Sequence, residues 1–225
     1  AGHQSRVHGR PDCSIFIYLP SEGFEVLIML YGNEALDELG IQDGINEVIA
    51  TTERAGRINA APLGIIRDED SLYVRLFLGT HTYENVLTKG WFVANITHDA
   101  WLFAETALED LPPEYFTRRE DLPVLKDAEA WGLFKCETFA TDIIIAKVEL
   151  VKGEVLRKDF RACNRGANLV IEAAVAATRY LALRTDSYFM ELMKMQRIIN
   201  RCGGPREREA MDRLMDRIDS FTHKR

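Results

Sequence analysis

The sequence predicts a mainly β fold with α: an antiparallel, strand-rich domain followed by a helical subdomain. Up to about residue 160, short apolar runs alternate with polar residues and are separated by turn-forming residues. Beyond it, apolar residues recur every three or four positions, which is helical spacing. The 225 residues, 47% of them hydrophobic, suffice to bury a core. The expected divisions are an N-terminal extension over 1–40, a barrel domain over 41–160 and a helical subdomain over 161–225.

The first dozen residues, AGHQSRVHGRPD, are polar and read as a loose tail. Cys13 to Leu30 is the most apolar stretch, but Pro20, Glu22, Gly23 and Glu25 interrupt it. It reads as two short strands around a Pro/Gly turn, because a membrane helix needs roughly 18–20 apolar residues. No small-residue cleavage site follows it, so it fits a signal peptide poorly. Strands are then expected at 45–52 (INEVIATT), at 58–66 (INAAPLGII) after the turn-like ERAGR, and in LYVRLFLG after a hairpin loop at RDEDS. In that last run the alternation puts Arg75 on one face with Tyr73 and Phe77. WFVANITH at 91–98 is another strand, and Asp99 is placed to cap a helix over AWLFAETAL. The Pro-rich, charged segment 109–131 reads as an irregular excursion. Strand character returns at Phe134–Thr141 and Asp142–Leu150, with Lys152-Gly153 as a turn. Six or more such strands suggest an antiparallel barrel or sandwich.

The helical part opens with NLVIEAAVAATRYLAL, apolar at 170, 173, 174, 177 and 181. A second helix over Ser187–Ile199 stops at Cys202-Gly203-Gly204-Pro205. A third over Pro205–Phe221 carries the stripe Met211, Leu214, Met215 and Ile218, where the methionines read as core filling.

The formal charge of −7 argues against a general nucleic-acid binder, which needs basic surface, but leaves an anionic small ligand open. The cysteines Cys13, Cys136, Cys163 and Cys202 are far apart, so reduced thiols in a cytoplasmic protein are expected. Phosphate-loop, dinucleotide, zinc and nucleophile-elbow motifs are all missing, and no metal site is expected. His81 and His98 are isolated in sequence.

Two polar, glycine-containing patches beside strands remain. The first runs from Thr51 and Thr52 through Arg54, Arg57, Asn59, Ala60, Ala61 and Pro62 to Gly64. Its small side chains let a flat ring approach the backbone, and its arginines could meet a phosphate. The second is Gly79-Thr80-His81-Thr82-Tyr83-Glu84-Asn85, where hydroxyls and backbone N–H groups gather at a helix start, as in anion sites. The same residues also read as an ordinary strand–turn–helix junction with Thr82 as N-cap.

The order INEVIATT, INAAPLGI, VRLFLGTHTYENV, FVANITHD resembles an uncharacterised, largely archaeal family of FMN-binding split-barrel proteins related to the flavin reductases. The likeness covers 45 to about 150 and rests on the Asn-x-Ala-Pro turn, the Thr-containing helix start and Val93-Ala94-Asn95-Ile96. The tail, with Asn164-Arg165 and Glu172…Thr178-Arg179, resembles the family's helical part. The resemblance implies an FMN-binding split β-barrel, a homodimer with FMN between subunits, and an oxidoreductase reduced by a nicotinamide cofactor or a deazaflavin. The alternatives are a non-catalytic FMN carrier or sensor, or a dimer that has lost the ligand. By position, Thr51, Thr52 and the Arg57–Gly64 turn would line the flavin, with Arg54 nearby. Thr80, Thr82 and Arg75 would meet the phosphate, and His81, Tyr83 and Asn85 would accompany them at the helix start. Arg165, Glu172 and Arg179, seven residues apart, read either as a solvated salt-bridged face or as a stripe that closes the flavin groove or binds the reductant.

Overall fold

A computed structural model of the chain describes residues 3–6, 16–19, 27–69, 71–138, 144–157 and 162–222. Among them the strands are β1 (His3–Arg6), β2 (Phe16–Leu19), β3 (Leu27–Tyr31), β4 (Gly44–Arg54), β5 (Arg57–Asp68), β6 (Ser71–Leu76), β7 (Trp91–Ile96), β8 (Phe116–Arg119), β9 (Leu122–Leu125), β10 (Ala130–Thr138) and β11 (Ile144–Val155). The helices are α1 (Leu36–Leu39), α2 (His81–Lys89), α3 (Ala100–Leu108), α4 (Arg165–Leu183), α5 (Asp186–Cys202) and α6 (Pro205–Thr222).

Nine strands form one sheet in the order β1-β2-β3-β11-β10-β7-β4-β5-β6. A further pairing of β6 with β11 closes six of them into a barrel. Alternation decides which side chains fill it. In β11, Ile144, Ala146, Val148 and Leu150 are buried while Ile145, Lys147 and Val151 are not. Across the interior Phe92 on β7 stacks on its register partner Phe134 on β10, with ring centroids 5.4 Å apart.

Residues 3–6, expected as tail, pair with β2, and β2 pairs with β3 as the apolar stretch suggested. The Pro/Gly turn between β2 and β3, the remainder of the tail, Cys13, Asp70 of the RDEDS loop and residues 139–143 lie outside the described residues. The excursion at 109–131 is partly ordered as the hairpin β8–β9. Its two-residue turn, Glu120-Asp121, has φ of 48° and 65°, the left-handed pair a tight hairpin needs, but lacks the glycine that would announce it.

Lys152-Gly153 is no turn: both residues lie inside β11, where Gly153 pairs with Gly132 on one side and Leu30 on the other. A Cβ at Gly153 would sit 2.6 Å from the Trp131 carbonyl oxygen, and one at Gly132 would sit 2.8 Å from Leu39. These glycines admit close approach and seat Leu39 of α1.

A second compact unit comprises 98–111 and the C-terminal helices, so α3 groups with α4–α6 and not with the block 41–160 in which the sequence placed it. Asp99 caps α3 as expected, accepting from Trp101 N at 3.1 Å. The core of this unit is the alanine-rich face of α4 (Val170, Ala173, Ala174, Ala177) against Met211, Leu214 and Ile218 of α6. Gly166 at the start of α4 abuts the breaker after α5: a Cβ there would lie 2.5 Å from the Gly203 Cα. No described helix is long and apolar enough to cross a membrane.

Gly153→Ala forces a methyl against fixed backbone, which should cost about 1–3 kcal/mol. Urea unfolding with an unchanged m-value is the measurement; a neutral outcome would show that the β10–β11 contact yields.

Candidate functional site

The β4–β5 hairpin turns at Ala55-Gly56, with φ of 51° and 78°. The Asn59-Ala60-Ala61-Pro62 segment, expected within a strand over 58–66 and also as an Asn-x-Ala-Pro turn, lies within β5, opposite Thr52, Thr51, Ala50 and Ile49 respectively. Proline fits there because residues 57–64 pair with β4 alone, β6 joining only at Ile65–Asp68. In a ladder closed by a two-residue turn, alternate residues direct their N–H groups away from the partner strand. By that register Ile58, Ala60, Pro62 and Gly64 face the edge that β6 leaves uncovered, and only Pro62 of these lacks an N–H.

Strand alternation divides the sequence-predicted residues between two faces. Thr52 and Asn59 are cross-strand neighbours on the inner face, at the end of the barrel. There α2 covers them. Thr82 and Asn85, three residues apart on one face of α2, reach down to them. Asn59 Nδ2 donates to Thr82 Oγ1 at 3.0 Å, and Asn85 Nδ2 donates to Thr52 Oγ1 at 2.9 Å. All four side chains are buried. Each threonine hydroxyl accepts from an amide and keeps its own proton to donate.

Thr80, not Thr82, is the N-cap. Its Oγ1 accepts from Tyr83 N at 3.2 Å and donates to the Phe77 carbonyl at 2.8 Å. Gly79, at φ +80°, makes the turn that delivers Thr80 in an extended conformation. The capping reading fails at Thr82 because its hydroxyl is already inside the first turn, bonded to β5. His81 is exposed at the first helical position, and Tyr83 is half-buried against the barrel core. Arg54 ends β4 opposite Arg57 and pairs with Glu84 of α2 at 3.1 Å. Both partners are about half exposed, so the pair fixes orientation more than it stabilises.

On the outer face lie Thr51, Ala60, Pro62 and Arg75. Thr51 is fully committed. Its hydroxyl donates to the Pro123 carbonyl at 2.5 Å and accepts from Asn95 Nδ2 at 3.1 Å. Asn95 also donates to the Ile49 carbonyl at 2.9 Å and accepts from Leu125 N at 2.8 Å. This buried carboxamide fastens the β8–β9 hairpin over β7 and β4. Arg75 is exposed on β6 opposite Ile145 and is not brought to the α2 start by any described contact.

Sequence reasoning passed over two partners. Glu84 was legible only as part of a helix start, and its link to Arg54 spans thirty residues. Glu53 accepts both guanidinium nitrogens of Arg118 on β8, at 2.7 and 2.8 Å. That bidentate bond, against a smaller opposing effect of burial, holds the Glu53 carboxyl below the usual carboxylate range. Elsewhere in the barrel, burial pushes the Cys136 thiol up to about 12, which leaves it inert. Among the described residues no group of three His, Cys, Asp or Glu side chains gathers to hold a metal.

Two matches cover most of the chain: "Protein of unknown function (DUF447) N-terminal domain" over residues 46–157 and "Protein of unknown function (DUF447)" over 164–216. The chain belongs to the DUF447 family. Its relatives include archaeal proteins. The uncharacterized protein MJ1453 of Methanocaldococcus jannaschii is 27% identical over 188 residues, which are 76% of this chain and 96% of that protein. The solved structure of the FMN-bound protein MM1853 from Methanosarcina mazei, also assigned to DUF447, is 34% identical with a TM-score of 0.75. It aligns with 81% of this chain and 99% of its own. The split β-barrel with C-terminal helices expected from the sequence is thus the fold of this DUF447 protein.

Asn59→Ala leaves the buried Thr82 hydroxyl without its donor and should cost about 1–3 kcal/mol in urea unfolding. In a double-mutant cycle with Thr82→Val the second change should cost much less than it does alone; additive losses would mean the two side chains are not coupled. The Glu53–Arg118 pair sets a pH dependence. A carboxyl lowered on folding contributes stability that is full above its unfolded pKa and lost as pH falls through the lowered value. Glu53→Gln should therefore lower stability at neutral and alkaline pH, with the difference from the unaltered chain shrinking as pH falls through the lowered pKa, so that its stability depends less steeply on pH in acid.

Proposed function

We propose that this protein binds FMN and works as an oxidoreductase of flavin-reductase type. The observation that carries the reading is the likeness, over four-fifths of the chain, to an FMN-bound protein of the same family. The site's own chemistry fits the cofactor. A phosphate suits the α2 start, where the first-turn N–H groups of His81 and Thr82, the free proton of the Thr82 hydroxyl and the helix dipole all favour an anion. Arg54 stands beside that start through Glu84. The β5 edge that β6 does not pair offers backbone N–H groups beside half-buried Ala61 and Pro62, which suits a flat ring with a polar rim.

Bound flavin supplies the hydride and electron chemistry, and the chain's part is to bind and orient it and exclude water. Thr52 and Asn59 hold Asn85 and Thr82 in place at the inner end of the site. Thr51, read from the sequence as a flavin contact, acts through the strand position it fixes.

The same reading makes the protein a homodimer. The outer face of β4, β5, β6 and β11 carries Ile45, Ile66, Tyr73 and Ile145, with Phe77 just beyond β6; Ile45 is 66% and Phe77 61% exposed. An apolar face of that kind favours a partner over water. Arg75 lies on this face, so a phosphate role for it would be served across the dimer. The free thiols Cys136, Cys163 and Cys202 suit a cytoplasmic, reducing setting.

Titration of the purified protein with FMN, followed by flavin fluorescence, tests binding. Thr80→Ala with Thr82→Ala should weaken FMN by about ten- to a hundredfold, the scale of one lost charge-assisted bond at Thr82 together with the lost Thr80 cap that aims the first-turn N–H groups, and leave riboflavin, which has no phosphate, nearly unchanged. Equal losses for both ligands would remove the phosphate assignment. A protein that takes up no FMN would remove the reading. Anaerobic mixing of the FMN-loaded protein with NADH, NADPH or a reduced deazaflavin then tests the reaction: bleaching at turnover rates supports a reductase, and none with any donor leaves a carrier or sensor.

A further inference from the structure

The stripe Glu172…Arg179 on α4 is not absorbed by the flavin site. In the helical unit it borders a groove of about 360 Å³ between α4 and α5. Its floor is Leu169, Val175, Ala176, Met195 and Ile198. Its rim carries Glu172 and Arg179 from α4 and Glu191 and Lys194 from α5, all exposed. No ion pair joins Glu172, Glu191 or Lys194 to another described residue, and the Arg179 guanidinium lies only loosely over the Tyr188 ring, 6.0 Å from its centroid. Arg165 begins α4 and is not part of the groove.

We propose that this face is a self-association surface, on which a second copy of the chain docks α4 against α4 in antiparallel, two-fold fashion. The charge pattern selects that occupant. Glu172 and Arg179 are equally spaced on either side of the Val175–Ala176 step. A two-fold axis through that step sets each residue opposite its mirror position in the other copy, so Glu172 meets the second copy's Arg179, and Arg179 meets its Glu172. The two ion pairs flank an apolar centre, and buried Ala176 allows the helices to come close. The rim bears two acids and two bases, neutral on a chain of net charge −7. A partner of one sign would meet repulsion from half of the rim, whereas an identical copy in this register meets only opposite charges along α4. This contact uses residues of the helical unit alone, and the proposal does not rest on FMN binding.

The test uses the full chain with Cys163→Ser, which removes the exposed native thiol. Val175→Cys places a thiol beside the two-fold axis, and mild oxidation of dilute protein should give a disulfide-linked pair of chains on a non-reducing gel. Ala182→Cys, exposed on α4 but well away from the axis, should give far less. Glu172→Arg or Arg179→Glu alone opposes like charges at both ends, and should cut the Val175→Cys yield by about tenfold or more. The charge swap Glu172→Arg with Arg179→Glu should restore it. Sedimentation of the same charge variants with Val175 intact should follow the same order. The proposal is overturned if Val175→Cys links no better than Ala182→Cys, if single reversals leave yield and sedimentation unchanged, or if the swap fails to restore them. FMN titration of the charge variants should match the unaltered chain. A change there would tie the stripe to the flavin site and also overturn the proposal.

Discussion

The candidate site depends on two buried amide–hydroxyl bonds, Asn59 to Thr82 and Asn85 to Thr52. A helix of nine residues is too short to hold itself in water, so α2 exists only as packed. Apolar contact through Val86 and Tyr83 supplies attraction without direction. The two bonds supply the direction. Thr52 and Asn59 are fixed opposite each other by the strand ladder, and Thr82 and Asn85 by the helical repeat. The four side chains make a closed rectangle with one orientation in which every amide finds its oxygen. Buried polar groups left unpaired are costly, so any sliding of α2 along the barrel end is opposed. The direction of the helix's N–H groups, and the placement of Glu84 beside Arg54, follow from this constraint.

A second carboxamide does the complementary work on the outer face. Asn95 joins β7 to β4 and takes the Leu125 N–H, so the β8–β9 hairpin lies flat over Thr51. The Glu53–Arg118 pair fastens the other end of that hairpin. The covered part of the outer face is closed to a ligand by these contacts. What stays less covered is the next stretch of β5, where Ala61, Pro62 and Gly64 are half-buried and β6 has not yet joined. That stretch is thus bounded by polar contacts on one side and by the departure of a strand on the other.

Alternation and helical spacing were enough to read β4 to β7 and α3 to α6, because those elements bury one face in a regular period. The misreadings share a physical cause. Gly153 and Pro62 carry turn chemistry by composition, yet each sits in a strand for a reason set by distant chain: a close carbonyl in one case, a missing neighbour in the other. The β8–β9 hairpin turns on Glu120-Asp121, which pay backbone strain that no local motif advertises. The helix start was legible as a place but not in its roles. Thr80 and Thr82 are equally good caps by type, and only Asn59, folded in from β5, decides between them. The split between Thr51 and Thr52 was implicit in strand alternation, but which of the two is covered by the β8–β9 hairpin depended on where that hairpin would lie.

The proposed phosphate position is compatible with an acidic chain, because the attraction there would come from fixed dipoles and hydroxyls more than from net charge. Arg54, which reaches α2, is already paired with Glu84, so it brings little unbalanced positive charge to the helix start. Backbone N–H groups held by the Asn–Thr rectangle cannot swing away as a surface side chain can. Such donors act at short range, and they reward a ligand that reaches the helix end over any passing anion. The same logic separates the barrel from the helical unit. In the barrel, on the proposed reading, oriented dipoles seat a small anion. On α4, exposed charges of both signs, spaced about an apolar step, make a surface whose complement is itself.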